Sequence, residues 1–265
     1  MKQRVVAAVL CGGRGERLRP LTDFFQKTMI PVGPKRRPLL EYIIRLLAHH
    51  GIGETVLLTG YRTDEIRSYF EDGSRFGMRI RYSEDKKGAK GSLNALANAM
   101  SSGAFDDPEL LLVYYGDILS DLDITTLLNT HRSLKADATL VLARGYTLPV
   151  GVAEVKDGKR VSGVREKPTL DISVTTGCLV LGRGALRAVK SIAGPQRSDL
   201  MTHFVPALLS RKMKVGAYYN TGLWHDMGTL TGYESLNRSL RDDDLPFADG
   251  QEKHRRATTT GPRQN

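Results

Sequence analysis

Continuous apolar runs alternate with helical spacings through the first half of the chain. Val5–Leu10 reads as a buried strand, and PLLEYIIRLLAHH at 38–50 carries a helical apolar stripe that Gly51 stops. The same reading gives strands at Thr55–Thr59, Met78–Tyr82, Leu110–Tyr115 and Ala138–Ala143. Helices are predicted between them at Asp64–Phe70, Ser92–Met100 and Ile124–Leu134, the last with Asp123 as its N-cap. Strands separated by helices imply right-handed crossovers and a mostly parallel sheet. Ligands of such sheets bind at the carboxyl ends of the strands. Two stretches rich in polar chemistry fall there: CGGRGERLR at 11–19 and YYGD at 114–117.

Beyond about Pro149 the pattern changes. Val150–Val155 and Arg160–Arg165 flank a hairpin-like KDGK turn, and further strands are predicted at Val174–Leu181 and Val215–Tyr219. Helical stretches at Ala185–Ile192 and Leu200–Arg211 lie between them. This describes a β-rich lobe on the same sheet. The stretch from Arg241 onward is polar and reads as a disordered tail.

Composition narrows the class. With 40% hydrophobic and 26% charged residues the 265-residue chain has the make-up of a soluble globular protein. No apolar run approaches the roughly 18 residues needed to span a bilayer, so no membrane partner is expected. The basic tip and short apolar run of MKQRVVAAVL lack a small-residue cleavage site and read as the first strand. Two cysteines, Cys11 and Cys178, give no disulfide framework, which points to a reducing cytoplasm.

The net charge of +10 is concentrated early, with ten Lys/Arg against three Asp/Glu in residues 1–50. Aromatic residues are only 7% and do not interleave with the early arginines, which argues against nucleic acid. Charge gathered in a glycine-rich loop suits a small polyphosphate: glycines let backbone N–H groups approach oxyanions, and arginines neutralise them. Two familiar phosphate loops are excluded by position. A dinucleotide fingerprint begun at Gly13 would need glycine where Leu18 stands, and no Gly-Lys-Ser/Thr follows for a P-loop. The histidines lack compact spacing with cysteines, so zinc is not expected.

The stretch L-x-G-G-x-G-x-R-L-x-P-L-T, then Lys27 and IPVGPKRRPLLEYII, resembles the sugar-1-phosphate nucleotidyltransferases, which make nucleoside-diphosphate sugars. The resemblance returns at GAKGSLNAL (88–96), YYGDILSDLD (114–123), VGVAEV…GVREKP (150–168), TTGCLVL (175–181) and TGLWHDMGTLTGYESLN (221–237). It implies a Rossmann-like α/β fold, a mixed, mostly parallel sheet flanked by helices, with a β-rich sugar-binding lobe. It implies one domain over 1–240, with a nucleotide part to about 148 and a sugar part from 149. The activity implied is transfer of a nucleoside monophosphate from an NTP to a hexose-1-phosphate. A catalytically silent sugar-nucleotide sensor on the same fold is the alternative; retention of the charged residues argues against it.

Carried over by register, Leu10, Cys11, Gly12, Gly13, Gly15, Arg17, Lys27, Glu84 and Gly88 would bind the nucleotide. Arg17 and Lys27 would neutralise the leaving phosphates and the α-phosphate. Gly151, Glu166, Lys167 and Thr176 would bind the sugar phosphate, and Asp117 with Asp226 would hold Mg²⁺. Members are commonly dimers or tetramers, so a homo-oligomer is among the partners implied.

Three departures stand out. Gln26 replaces the family's usual proline, which is expected to loosen the loop. Cys11 replaces a common alanine; near Arg14 and Arg17 its thiol is expected to ionise easily and be prone to oxidation. SEDKKGAKGS at 83–92 carries three lysines where the family has Pro-Leu and Thr-Ala-Gly, so neither the base nor the sugar can be carried over.

Overall fold

The computed structural model describes residues 4–85, 90–148 and 150–249. Strand β1 (Val5–Leu10) runs into the glycine–arginine loop, which holds 3₁₀ turns at Glu16–Leu18 and Lys27–Met29 and the short helix α1 (Leu21–Phe24). The short strands β2 (Pro31–Val32) and β3 (Arg37–Pro38) pair and lead into α2 (Leu39–His49). Next come β4 (Glu54–Thr59), α3 (Thr63–Phe70), β5 (Arg79–Glu84), α4 (Ser92–Ser101) and β6 (Leu110–Tyr115). After β7 (Ile118–Ser120), Asp123 caps α5 (Ile124–Leu134) by accepting the Thr126 N–H at 2.9 Å, as its position predicts.

The second half contributes β8 (Ala138–Thr147), a hairpin of β9 (Val152–Lys156) and β10 (Arg160–Arg165), and β11 (Thr169–Gly182). It ends with α6 (Arg183–Ile192), α7 (Val205–Ser210), β12 (Val215–Tyr219), β13 (Trp224–Asp226) and α8 (Leu230–Ser239).

Seven strands form one mixed sheet in the order β12-β8-β11-β6-β1-β4-β5. β1 is parallel to both β4 and β6, β4 to β5, and β12 to β8; β11 alone runs antiparallel to its neighbours. This is the expected α/β architecture. Both faces of the sheet are covered, which is why its strands read as unbroken apolar runs. Val6, Ala8, Leu111 and Val113 pack on one side with α4 and α6. Ala7, Val9, Leu112 and Tyr114 pack on the other with α2 and α5.

β11 starts five residues earlier than its apolar pattern suggests. Its first half, Thr169–Thr175, alternates Leu170, Ile172 and Val174 with polar residues but stays largely exposed, pairing only with the far end of β8, so it lacks the continuous apolar run that marks the buried half. The expected disordered tail also needs correction over 241–249. Two 3₁₀ turns there (Asp242–Asp244 and Pro246–Asp249) bury Leu245, Phe247 and Ala248. Phe247 lies 6.2 Å from the His49 ring on α2, and Arg37 donates to the Ala248 carbonyl. Three apolar residues are enough to pin a polar stretch when a groove receives them. Among the described residues no helix is long and apolar enough to cross a membrane.

Candidate active site

The carboxyl ends of β1, β4, β5 and β6 are stitched together just past their ladders. Gly116 N–H donates to Leu10 O at 2.9 Å, Cys11 N–H to Leu58 O at 2.9 Å, and Tyr61 N–H to Gly12 O at 3.1 Å. The glycine loop and the Asp117 turn therefore share one rim of the sheet, where parallel α/β sheets bind ligands. Within the loop, Gly15 has φ +67°, and a β-carbon there would stand 2.8 Å from Thr22 and 3.0 Å from Lys27 Cβ. Glycine at 15 lets the loop fold back onto Lys27 and fixes where that lysine starts. Gly13 has no neighbour within 4 Å of such a carbon, so its face is open. Leu10 closes β1 half-buried.

Lys27 donates to the Asp117 carboxylate, with both side chains partly sheltered. The short ribbon between β7 and β13 supplies the next group. It sets Asp226 opposite Ile118, and Met227 N–H donates to Asp117 O at 2.9 Å. Two carboxylates about a hundred residues apart in sequence thus become neighbours.

Asp226 is exposed at the residue level, yet desolvation of its carboxyl, and then the Asp117 charge, raises it above the ordinary range. The Gly228 N–H (2.6 Å), Lys27 and Arg17 pull the other way. Arg17 is exposed, and its guanidinium lies 3.1 Å from where a β-carbon on Gly228 would stand. Arg17, Lys27, Asp117 and Asp226 form one constellation of two cations and two carboxylates beside an open glycine loop.

Gln26 does the opposite of loosening this loop. It is fully buried; its side-chain amide donates to Cys11 O at 2.5 Å and accepts from Thr28 N–H at 2.6 Å and the Thr28 hydroxyl at 2.7 Å. Its own N–H reaches Glu65 at 2.8 Å, a bond a proline could not make. The sequence pattern missed this residue because a lone polar side chain gives no hint that it will be buried and satisfied.

Cys11 also differs from expectation. It is 1% exposed, and burial pushes its thiol up, not down; Asp85 adds to the effect. The arginines of the loop point elsewhere: Arg14 lies 5.6 Å over the Tyr61 ring. Cys178 is equally buried and its thiol is likewise raised. Native protein is therefore expected to leave both thiols unreacted with a disulfide reagent such as DTNB at pH 8. In guanidinium both should react within seconds, and rapid labelling of one thiol in the native state would refute this.

The residues expected to meet the base divide. Glu84 is exposed at the end of β5, and Gly88 lies outside the described residues. The residues expected to bind the sugar phosphate lie apart from these. Gly151 faces Glu166, whose carboxylate lies 2.9 Å from where a Gly151 β-carbon would stand; Lys167 is exposed with φ +45°. Thr176, by contrast, is 2% exposed. Its hydroxyl is spent on Val141 O at 3.0 Å while its carbonyl accepts the Trp224 indole N–H at 3.2 Å. In this geometry Thr176 supports the β13 ribbon, and its side chain does not reach the cleft.

A family model described as nucleotidyl transferase matches residues 6–243. The chain belongs to that family. Among relatives of this nucleotidyl transferase, a mannose-1-phosphate guanylyltransferase of Mycobacterium tuberculosis is 33% identical over 85% of this chain and 62% of its own. A UTP–glucose-1-phosphate uridylyltransferase of Synechocystis is 29% identical over 91% of this chain and 66% of its own. The chain thus spans just under two thirds of the length of these curated relatives. The solved structure of a protein described as a glucose-1-phosphate thymidylyltransferase from Bacillus anthracis, in complex with sucrose, superposes with a TM-score of 0.72. Its sequence is 23% identical, and the match covers 90% of this chain and 96% of that one, which shows the shared fold.

Proposed function

We propose that this nucleotidyl transferase joins a nucleoside triphosphate to a hexose-1-phosphate, forming an NDP-sugar and pyrophosphate. The observation that carries the reading is the Arg17–Lys27–Asp117–Asp226 constellation beside the open face of Gly13. A sugar-phosphate oxygen forms a bond to the α-phosphorus, and the α–β bridging bond breaks with its electrons leaving on pyrophosphate. A phosphate monoester is already nucleophilic, so positioning and charge neutralisation suffice. Lys27 stabilises charge growing on the α-phosphate, and Arg17 that on the leaving β- and γ-phosphates. Glu166 accepts sugar hydroxyls across from Gly151, and Lys167 holds the sugar phosphate.

The donor set fits a divalent cation of the magnesium type. Asp117 and Asp226 present hard oxygens, and their mutual repulsion is what a cation would remove. Among the described residues no group of three or more ligating side chains occurs, so phosphates and water would complete the shell. Bound there, the ion would neutralise phosphate charge.

The test is pyrophosphate release from a panel of NTPs and hexose-1-phosphates. At least one pair should turn over with Mg²⁺ and stop with EDTA. No turnover with any pair, alongside tight NDP-sugar binding, would favour a silent sensor.

A further inference from the structure

β5 ends on the exposed Glu84, and the next residue carries the ladder one step further: Asp85 N–H donates to Thr59 O at 2.8 Å. Strand alternation turns the Asp85 side chain away from the Glu84 side and onto the glycine loop. Its Oδ2 lies 2.8 Å from where a Gly12 β-carbon would stand and 3.1 Å from that of Gly60. Any larger residue at Gly12 would meet this carboxylate. Asp85 is partly buried, and among the described residues burial and the Glu84 charge act on its carboxylate with no hydrogen bond or cation beside them. Desolvation, and then the Glu84 charge, lifts it to about 6.

With no donor from the described residues on them, the Asp85 oxygens are left to accept from water or from a ligand. The loop beside it is the one assigned above to the nucleotide, and the inference rests on that reading. Lys27 and Arg17 act on Asp226, at the phosphate end of the cleft. Asp85 lies at the other end of the loop, against Gly12, where the base would follow the ribose. We propose that Asp85 reads the nucleobase and selects guanine, its two oxygens accepting the N1–H and the 2-amino group.

The selection follows from donor patterns. An ionised carboxylate only accepts. Guanine presents two adjacent N–H donors on its pairing edge. Uracil and thymine present one N–H between two carbonyl oxygens, while adenine and cytosine present one amino group beside a bare ring nitrogen. Against each of these, one Asp85 oxygen would face a lone pair. A buried polar group left unpaired in this way rejects the wrong ligand strongly.

The experiment compares kcat/KM for GTP, ITP, UTP, dTTP, ATP and CTP in the full chain and in Asp85→Asn. Wild type should favour GTP over the next of UTP, dTTP, ATP and CTP by about 10²-fold or more. It should also favour GTP over ITP, which lacks only the 2-amino group, by about tenfold. Asp85→Asn replaces one acceptor with a donor, so both preferences should collapse and UTP or dTTP should gain. Its circular dichroism and melting midpoint should stay those of wild type. A wild-type preference for any other base, or an intact GTP preference in a folded Asp85→Asn, overturns the proposal. Should no nucleotide turn over, the transfer reading falls separately, and calorimetric affinities for GDP, IDP and UDP decide Asp85 by the same ratios.

Discussion

Asp117→Asn should lower turnover by about 10³-fold while the protein remains folded, the scale seen when a preorganised charge is removed from a transferring group. The fold survives because the structural bond at this position is made by the backbone: Asp117 O accepts the Met227 N–H at 2.9 Å, and that bond does not depend on the side chain. Asparagine keeps the shape and one acceptor for Lys27. What disappears is one of the two charges of the Asp117–Asp226 pair.

The loss has a signature beyond rate. Asp117 is one of the two causes that raise the Asp226 carboxyl, so in the variant that carboxyl should fall back toward the ordinary range. An NMR titration of Asp226 in both proteins measures this. Affinity for Mn²⁺, followed by its spin resonance, should fall together with turnover. Near-normal rates in a folded Asp117→Asn, or unchanged Mn²⁺ affinity, would remove Asp117 from the metal role.

How much of this site could be read in the sequence depends on how local its parts are. β1, β6 and α5 occupy the predicted spans because a two-faced buried strand and an amphipathic helix each write their own period, and the exposed β10 does so because the KDGK turn before it marks where it begins. β13 and its pairing with β7 were not legible, since three residues such as Trp224–Asp226 carry no period. Only the antiparallel ribbon brings Asp226 to Asp117. The burial of Phe247 against α2 was hidden for the same reason: its partner is two hundred residues away.

Parity at a strand end decides which acid meets the glycine loop. Glu84 and Asp85 are adjacent acids, and which of them faces Gly12 is settled by where β5 stops and how it is paired. Charge counting misled at Cys11, where Arg14 and Arg17, close in sequence, suggested an easily ionised thiol. Side-chain direction decides such fields, and full burial outweighs them.

Lys27→Met separates the two halves of the proposed chemistry. Methionine keeps the length and the apolar stem, so the packing of Gly15 against the Lys27 Cβ is retained. The ammonium that would meet the α-phosphate is gone, and turnover should drop by about 10²- to 10³-fold. Metal affinity should move the other way. Lys27 is bound to the Asp117 carboxylate and also lowers the Asp226 carboxyl, so it competes with a cation for the same oxygens. Without it the carboxylate pair is less compensated, and Mn²⁺ should bind at least as tightly as in wild type. Asp117→Asn loses rate and metal together, whereas Lys27→Met should lose rate and keep or strengthen metal binding. If Lys27→Met lost both in parallel, the lysine would be a scaffold for the carboxylates, and the assignment of its charge to the α-phosphate would have to be withdrawn.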